Sequence, residues 1–125
     1  MILRLGTVVA VLGLWAAPAL AEEVAKPAPK AYIVAEIEVT DAVTYEGYRS
    51  AVAPMVARYG GRYIVRGGMV EAIEGNAPVG RVVILEFPSL SAAQTFLRSD
   101  DYRPVAEIRQ KSTKSRLFVV EGIPQ

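Results

Sequence analysis

An α+β domain with the element order β-α-β-β-α-β is predicted by three features of the sequence. Two runs, AYIVAEIEV at 31–39 and RVVILEF at 81–87, are rich in β-branched residues and read as strands. Each is followed by apolar residues at steps of three or four, the mark of an amphipathic helix. Short clusters of Gly, Pro, Asn and Ser separate these segments.

The first strand places Ile33, Ala35, Ile37 and Val39 on one face and Tyr32, Val34, Glu36 and Glu38 on the other. Thr40 and Asp41 are suited to cap the helix that follows. Its stripe runs through Tyr45, Tyr48, Val52, Met55, Val56 and Tyr59, and Pro54 is expected to kink it. In YGGRYIVRGG (59–68), Gly60 stands where a left-handed residue closes the helix. Arg62 to Arg66 is the second strand, and Gly67-Gly68 is expected to bend or bulge it before it continues over Met69 to Glu74. A phosphate-cradling loop would need GxxxxGK[ST] or GxGxxG between strand and helix, and this stretch has neither.

EGNAPVG (74–80) is a hairpin connection into the strongest strand, 81–87. Ser89 or Ser91 caps a second helix through Ala92, Ala93, Phe96 and Leu97. SDDYRP (99–104) interrupts it, a further turn or two carries Val105 and Ile108, and SRLFVVE (115–121) is the last strand. This is the ferredoxin-like split βαβ arrangement: a four-stranded antiparallel sheet, first and third strands central, with both helices on one face.

The amino terminus stands outside this pattern. Arg4, an apolar run from Leu5 to Ala17, and small residues up to Ala21 form a secretory signal, with cleavage expected between Ala21 and Glu22. The run is shorter than the roughly 20 residues a membrane span needs, so no stable anchor is expected after cleavage, and a periplasmic or secreted location follows. Removing 21 of the 125 residues leaves 104. Residues 22–30 are then a flexible Pro-containing leader, 31–122 the folded domain and 123–125 a tail.

The mature chain would carry 13 basic and 13 acidic side chains, which gives no electrostatic reason for a nucleic-acid partner. There is no Cys and no His. That removes the thiolate nucleophile, the commonest base near neutral pH and the usual ligands of zinc, iron–sulfur and haem sites. No metal and no cofactor is expected, and any chemistry rests on Glu, Asp, Lys, Arg, Tyr, Ser or Thr.

AYIVAEIEVTD, YGGRYIVRGG, the Glu74-Gly75 pair, RVVILEFPS and FLRSDDYRP together resemble the domain-of-unknown-function 1330 family, over about residues 30 to 122. The resemblance implies a ferredoxin-like fold of the dimeric α+β barrel type, in which two sheets pack face to face. It implies no activity.

Parity gives a separate reason to expect a homodimer. The face away from the helices carries Val34, Ile64, Val82, Ile84, Phe118 and Val120, too large an apolar patch to leave in water. Glu36, Arg66 and Glu86 fall on that same face by parity. They read either as an ion-pair network fixing dimer register, or as a polar pocket in which Glu36 or Glu86, its pKa raised, is the catalytic base. Arg66 would there bind an anion, and Tyr32, Arg81 and Tyr102 complete the candidate ligand-binding set. The basic run RQKSTKSR (109–116) reads as a solvated helix end, and Asp100-Asp101 alone is a weak cation site. Tyr45, Tyr48 and Tyr59 read as packing. The function expected is a small-molecule-binding or structural dimer, exported and of unknown activity. The alternative is a cofactor-independent enzyme, monooxygenase- or isomerase-like, acting on a small polar or aromatic molecule.

Overall fold

The structure, a computed structural model, describes residues 2–13 and 26–125. The expected cleavage site between Ala21 and Glu22 lies outside them. Residues 2–13 form neither helix nor strand, and among the described residues no helix is long and apolar enough to cross a membrane.

The order is β1 (Ala31–Val39), α1 (Ala42–Arg58), β2 (Arg62–Arg66), β3 (Arg81–Phe87), α2 (Leu90–Leu97), α3 (Tyr102–Ser112) and β4 (Thr113–Glu121). The strands form one antiparallel sheet in the order β2-β3-β1-β4, with β1 and β3 central as expected. The fold is the ferredoxin-like α+β fold, its second helical segment divided at Arg98–Asp101.

Local chemistry explains each boundary. Asp41 caps α1: its carboxylate accepts from the Thr44 amide at 3.2 Å and from the Thr44 hydroxyl at 2.6 Å. Pro54 lies inside α1 on its exposed side, opposite Tyr45, Tyr48, Val52, Met55 and Val56, which are buried. At the helix end the Gly61 amide donates to Val56 O and the Gly60 amide to Ala57 O, a Schellman closure with Gly60 at φ 85°. The second glycine of that pair has another cause. A Cβ on Gly61 would lie 2.8 Å from two Phe87 ring carbons, so the bare backbone makes room for the most buried aromatic ring. Ser89 caps α2 through the Ala92 amide at 3.0 Å.

The core lies between the helices and one sheet face. Ile33, Ile37, Leu85 and Phe87 meet Val52, Val56, Phe96 and Tyr102 there. Phe96 is the hub of an aromatic cluster, with centroids 5.5 Å from Phe87, 4.6 Å from Tyr102 and 5.6 Å from Tyr59.

Three expectations are corrected. The bulge lies at Ile64, not at Gly67-Gly68: Tyr63 pairs with Leu85 and Val65 with Ile84, so one extra residue intervenes and the parity of β2 inverts beyond it. Arg66 therefore opposes Val83 on the helix-facing side, away from Glu36 and Glu86. The strand does not resume over Met69–Glu74. β3 begins at Arg81, and the Gly67 amide already bonds Val82 O, so residues beyond Gly67 have no ladder to join. The segment 109–116 is solvated only in part: Lys111, Lys114 and Arg116 are exposed as expected, but the first basic residue is not. Arg109 is 7% exposed and donates from Nη1 to Ser115 Oγ at 2.6 Å, while Ser112 and Thr113 are also buried.

Candidate functional site

The two sheet faces differ in chemistry. On the open face, register aligns Phe118, Val34, Ile84 and Val65 in one row across all four strands. To one side the row Val120, Tyr32, Glu86, Arg62 carries an acid on a central strand. To the other, Arg116, Glu36 and Val82 do the same. Arg62 Nε meets Glu86 Oε1 at 2.9 Å, Lys30 Nζ lies 3.4 Å from the same oxygen, and Arg116 Nη2 is 2.9 Å from Glu36 Oε2.

This arrangement corrects the grouping expected for Glu36, Arg66 and Glu86. Glu36 and Glu86 are two rows apart, and each has an arginine from an edge strand, not Arg66. The Arg62 hydrogen bond holds the Glu86 carboxyl below its ordinary range, the opposite of what a catalytic base near neutral pH requires. Tyr32 stands on this face too, packed beside Gly122, with a Gly122 Cβ position 3.0 Å from its ring.

The concave site is on the other face. Ile33, Ala35, Ile37, Val83 and Leu85 of the central strands form an aliphatic floor. Tyr45, Tyr48, Arg49 and Val52 of α1 form the roof, and Tyr63, Arg66 and Arg81 close the sides. The cavity volume is about 30 Å³, room for about two waters as the side chains stand. Three arginines enter it and no acid lines it. Arg66 lies over the Tyr63 ring at 4.3 Å and Arg81 over the Tyr45 ring at 5.9 Å. Behind the wall, Arg109 lies over the Tyr48 ring at 5.9 Å.

Each of these side chains has a structural reason for its place. Positions 45, 48, 49 and 52 are neighbours on one side of α1, so Arg49 sits among apolar residues with Glu46 as its ion-pair partner at 3.3 Å. The bulge at Ile64 turns Arg66 inward. Arg81 is the first residue of β3, and its guanidinium lies 2.7 Å from where a Gly67 side chain would begin, so a side chain there would displace it, besides straining a backbone at φ 69°.

The electrostatics are those of a positive pocket. The Nε atoms of Arg49, Arg81 and Arg109 are buried without a hydrogen-bond partner, unlike the great majority of buried polar atoms. Burial raises the Tyr45 hydroxyl above its ordinary range, while Arg81, Arg49, Arg109 and Arg66 all pull it down. Burial likewise raises Tyr48, with Tyr102 beside it, and Tyr63. At neutral pH the tyrosines are therefore neutral, and of the three arginines Arg49 alone has an ion-pair partner among the described residues, Glu46, which does not line the cavity.

Of the expected ligand-binding residues, Arg66 and Arg81 line this cavity. Tyr32 is on the opposite face, and Tyr102, 4% exposed, is packed on Phe96. Tyr45, Tyr48, Tyr63 and Arg49 were not expected there. Asp100 pairs with Arg103 at 3.2 Å and Asp101 accepts from the Tyr59 hydroxyl at 3.0 Å, so both carboxylates have structural partners.

Comparison with solved structures finds the same fold elsewhere. RPA0582, a protein of unknown function from Rhodopseudomonas palustris, is 22% identical with TM-score 0.63, over 76% of this chain and 83% of its own. SnoaB, a cofactor-independent oxygenase from Streptomyces nogalater, is 18% identical with TM-score 0.56, over 78% and 97%. An ethyl tert-butyl ether D family protein of Bacillus halodurans is 14% identical with TM-score 0.52, over 76% and 99%. Among curated protein sequences nothing matches. The family profile described as domain of unknown function DUF1330 matches residues 30–123, and the chain belongs to that family.

Proposed function

We propose that this protein is an exported homodimer that binds a small molecule in the cavity between α1 and the sheet. The observation that carries the reading is that cavity itself: three arginines and three tyrosines converge on an aliphatic floor, and two of the arginines keep buried donors unpartnered. A purely structural layer would fill this space with side chains, as the Phe87–Phe96 end of the same core does. Pockets of this make-up, apolar with a few convergent polar groups, are what ligand sites look like in general.

The dimer is supported by the open face. Ile64, Phe118 and Val120 are 43%, 43% and 47% exposed in the protomer, and they adjoin Val34, Val82 and Ile84 in one continuous patch. The flanking rows, with Arg62–Glu86 at one end and Arg116–Glu36 at the other, offer a second sheet both signs of charge. Export is supported by the signal-like segment at 1–21. Mass spectrometry of the protein from its native envelope should find a chain beginning at Glu22, and intact protein beginning at Met1 would sink that element.

The pocket is tested by filling it. Ala35→Val places two methyl groups on the cavity floor from a central strand, where a β-branched residue suits the sheet. It should cost no more than the roughly 1–3 kcal/mol of an overpacked core position, yet abolish binding of every small molecule that raises the melting temperature of the wild-type chain. Unchanged binding in a folded Ala35→Val protein would place the ligand elsewhere.

The second reading is a cofactor-independent enzyme, as SnoaB is a cofactor-independent oxygenase whose fold this chain shares. What favours it is the clustered arginine charge, which would stabilise an enolate or phenolate formed from a bound substrate. What weighs against it is the lining, which holds no carboxylate to take the proton.

A further inference from the structure

We infer that the cavity takes a small carboxylic acid with an apolar body, bound as its carboxylate by Arg49 and Arg81. The inference rests on the cavity being the ligand site and adds the chemistry of the ligand.

The Nε groups of Arg49 and Arg81 are buried and have no acceptor. No carboxylate lines the cavity, and the one ion pair made there, Arg49 Nη1 with Glu46, leaves both Nε groups without a partner. A buried donor without a protein partner favours an incoming acceptor, because the bond it forms on binding replaces none already made within the protein. A guanidinium presents its donors as a planar fork, which matches two coplanar carboxylate oxygens better than a point charge does. Arg81 is held over Tyr45 and against Gly67, so its fork is pre-oriented.

The rest of the wall excludes other ligands. A cation would meet three arginines and no counter-charge. A bare inorganic anion would leave Ile33, Ala35, Val83 and Leu85 facing an unfilled floor. A neutral molecule would leave Arg66 and Arg81 without a counter-charge. An acid with an apolar body answers both halves of the site: carboxylate toward the arginines and carbon skeleton on the sheet. The cavity holds only about two waters as it stands, so a single-ring acid enters as the exposed side chains of Arg49 and Arg66 swing outward.

Calorimetric titration of the full chain with benzoate, benzamide and benzylamine tests this. The three share one body and differ only in charge. Benzoate should bind, with benzamide weaker by about tenfold or more and benzylamine undetectable. Arg49→Gln and Arg81→Gln should each remove the preference for benzoate over benzamide. Arg49 has a side chain 41% exposed, so its replacement leaves a testable protein even where Arg81→Gln fails to fold. Equal binding of benzoate and benzamide, lost together in Ala35→Val, would overturn the carboxylate assignment and leave the pocket standing. Benzoate binding undiminished in Arg49→Gln and Ala35→Val would overturn it as well, by placing the acid elsewhere. No binding of any of the three at millimolar concentration would overturn the assignment and the pocket together.

Discussion

Gly80→Ala should destabilise the domain by several kcal/mol, enough to leave much of it unfolded under mild conditions. Gly80 has φ 80°, a left-handed conformation that costs a residue with a Cβ about 1–2 kcal/mol. The added atom would also overlap the carbonyl oxygen of Ile37 and lie 2.7 Å from Glu38 Cα. Both belong to the backbone of β1, the central strand, which cannot retreat without breaking its register with β4. Overpacking of that kind adds roughly 1–3 kcal/mol or more. A small domain has only about 5–15 kcal/mol in total. Gly75→Ala is the control: φ there is 71°, and a Cβ would meet nothing within 4 Å. Urea unfolding should show Gly75→Ala losing the conformational cost alone. Equal losses at the two sites would show that the contact with β1 contributes nothing. The position also matters for the site, since Gly80 delivers the chain to Arg81.

The fold was legible in the sequence because its strongest segments carry their period openly. AYIVAEIEV alternates over nine residues, and the structure buries every second one from Ala31 to Ile37. RVVILEF does the same at Val83, Leu85 and Phe87. The stripe of α1 named every residue that the helix buries. What stayed hidden was a single inserted residue. RYIVR alternates whether or not Ile64 bulges, so nothing in those letters tells that Arg66 changes face. A slip of one residue is the smallest error a strand allows and the most consequential, because it exchanges the two faces. Here it moved an arginine from the open face to the cavity.

The candidate site was legible in part, through a signal that went unread. Arg49 occurs between Tyr48 and Val52 on the inner stripe of α1, and Arg109 follows Tyr102 and Ala106 at the same spacing on α3. A cation at an inward helical position is expensive unless something receives it, so it marks a site more reliably than a cation in a basic run. Composition and loops gave no comparable hint. MVEAIE has the apolar content of a strand, and only the absence of a facing β3 residue decides against it.

Val34→Asp should leave the protomer folded and remove the dimer. Val34 is at the middle of β1, with Ile84 beside it on β3 and Phe118 on β4. It is therefore at the centre of the patch a second sheet would cover. In the free protomer an aspartate there costs no more than the roughly 1 kcal/mol range of β-sheet propensity, because the face is open to water. In a face-to-face dimer it would be buried without a partner: Glu36 and Glu86 already engage Arg116 and Arg62. An uncompensated buried charge costs about 3–5 kcal/mol. Two-fold symmetry counts it twice, so the penalty is about 6–10 kcal/mol per dimer on that scale. Light scattering at tens of micromolar should report twice the protomer mass for the wild type and one protomer for Val34→Asp, with the strand and helix signals of circular dichroism unchanged. Val43→Asp is the matched control: Val43 is 87% exposed in the first turn of α1, where a carboxylate suits the helix dipole, and the dimer should persist. If Val34→Asp remains a dimer, the open face is not the interface. The two arginine–glutamate rows would then be surface ion pairs with no role in register, whereas dissociation in Val34→Asp alone would assign both rows to the rim of a sheet-on-sheet contact.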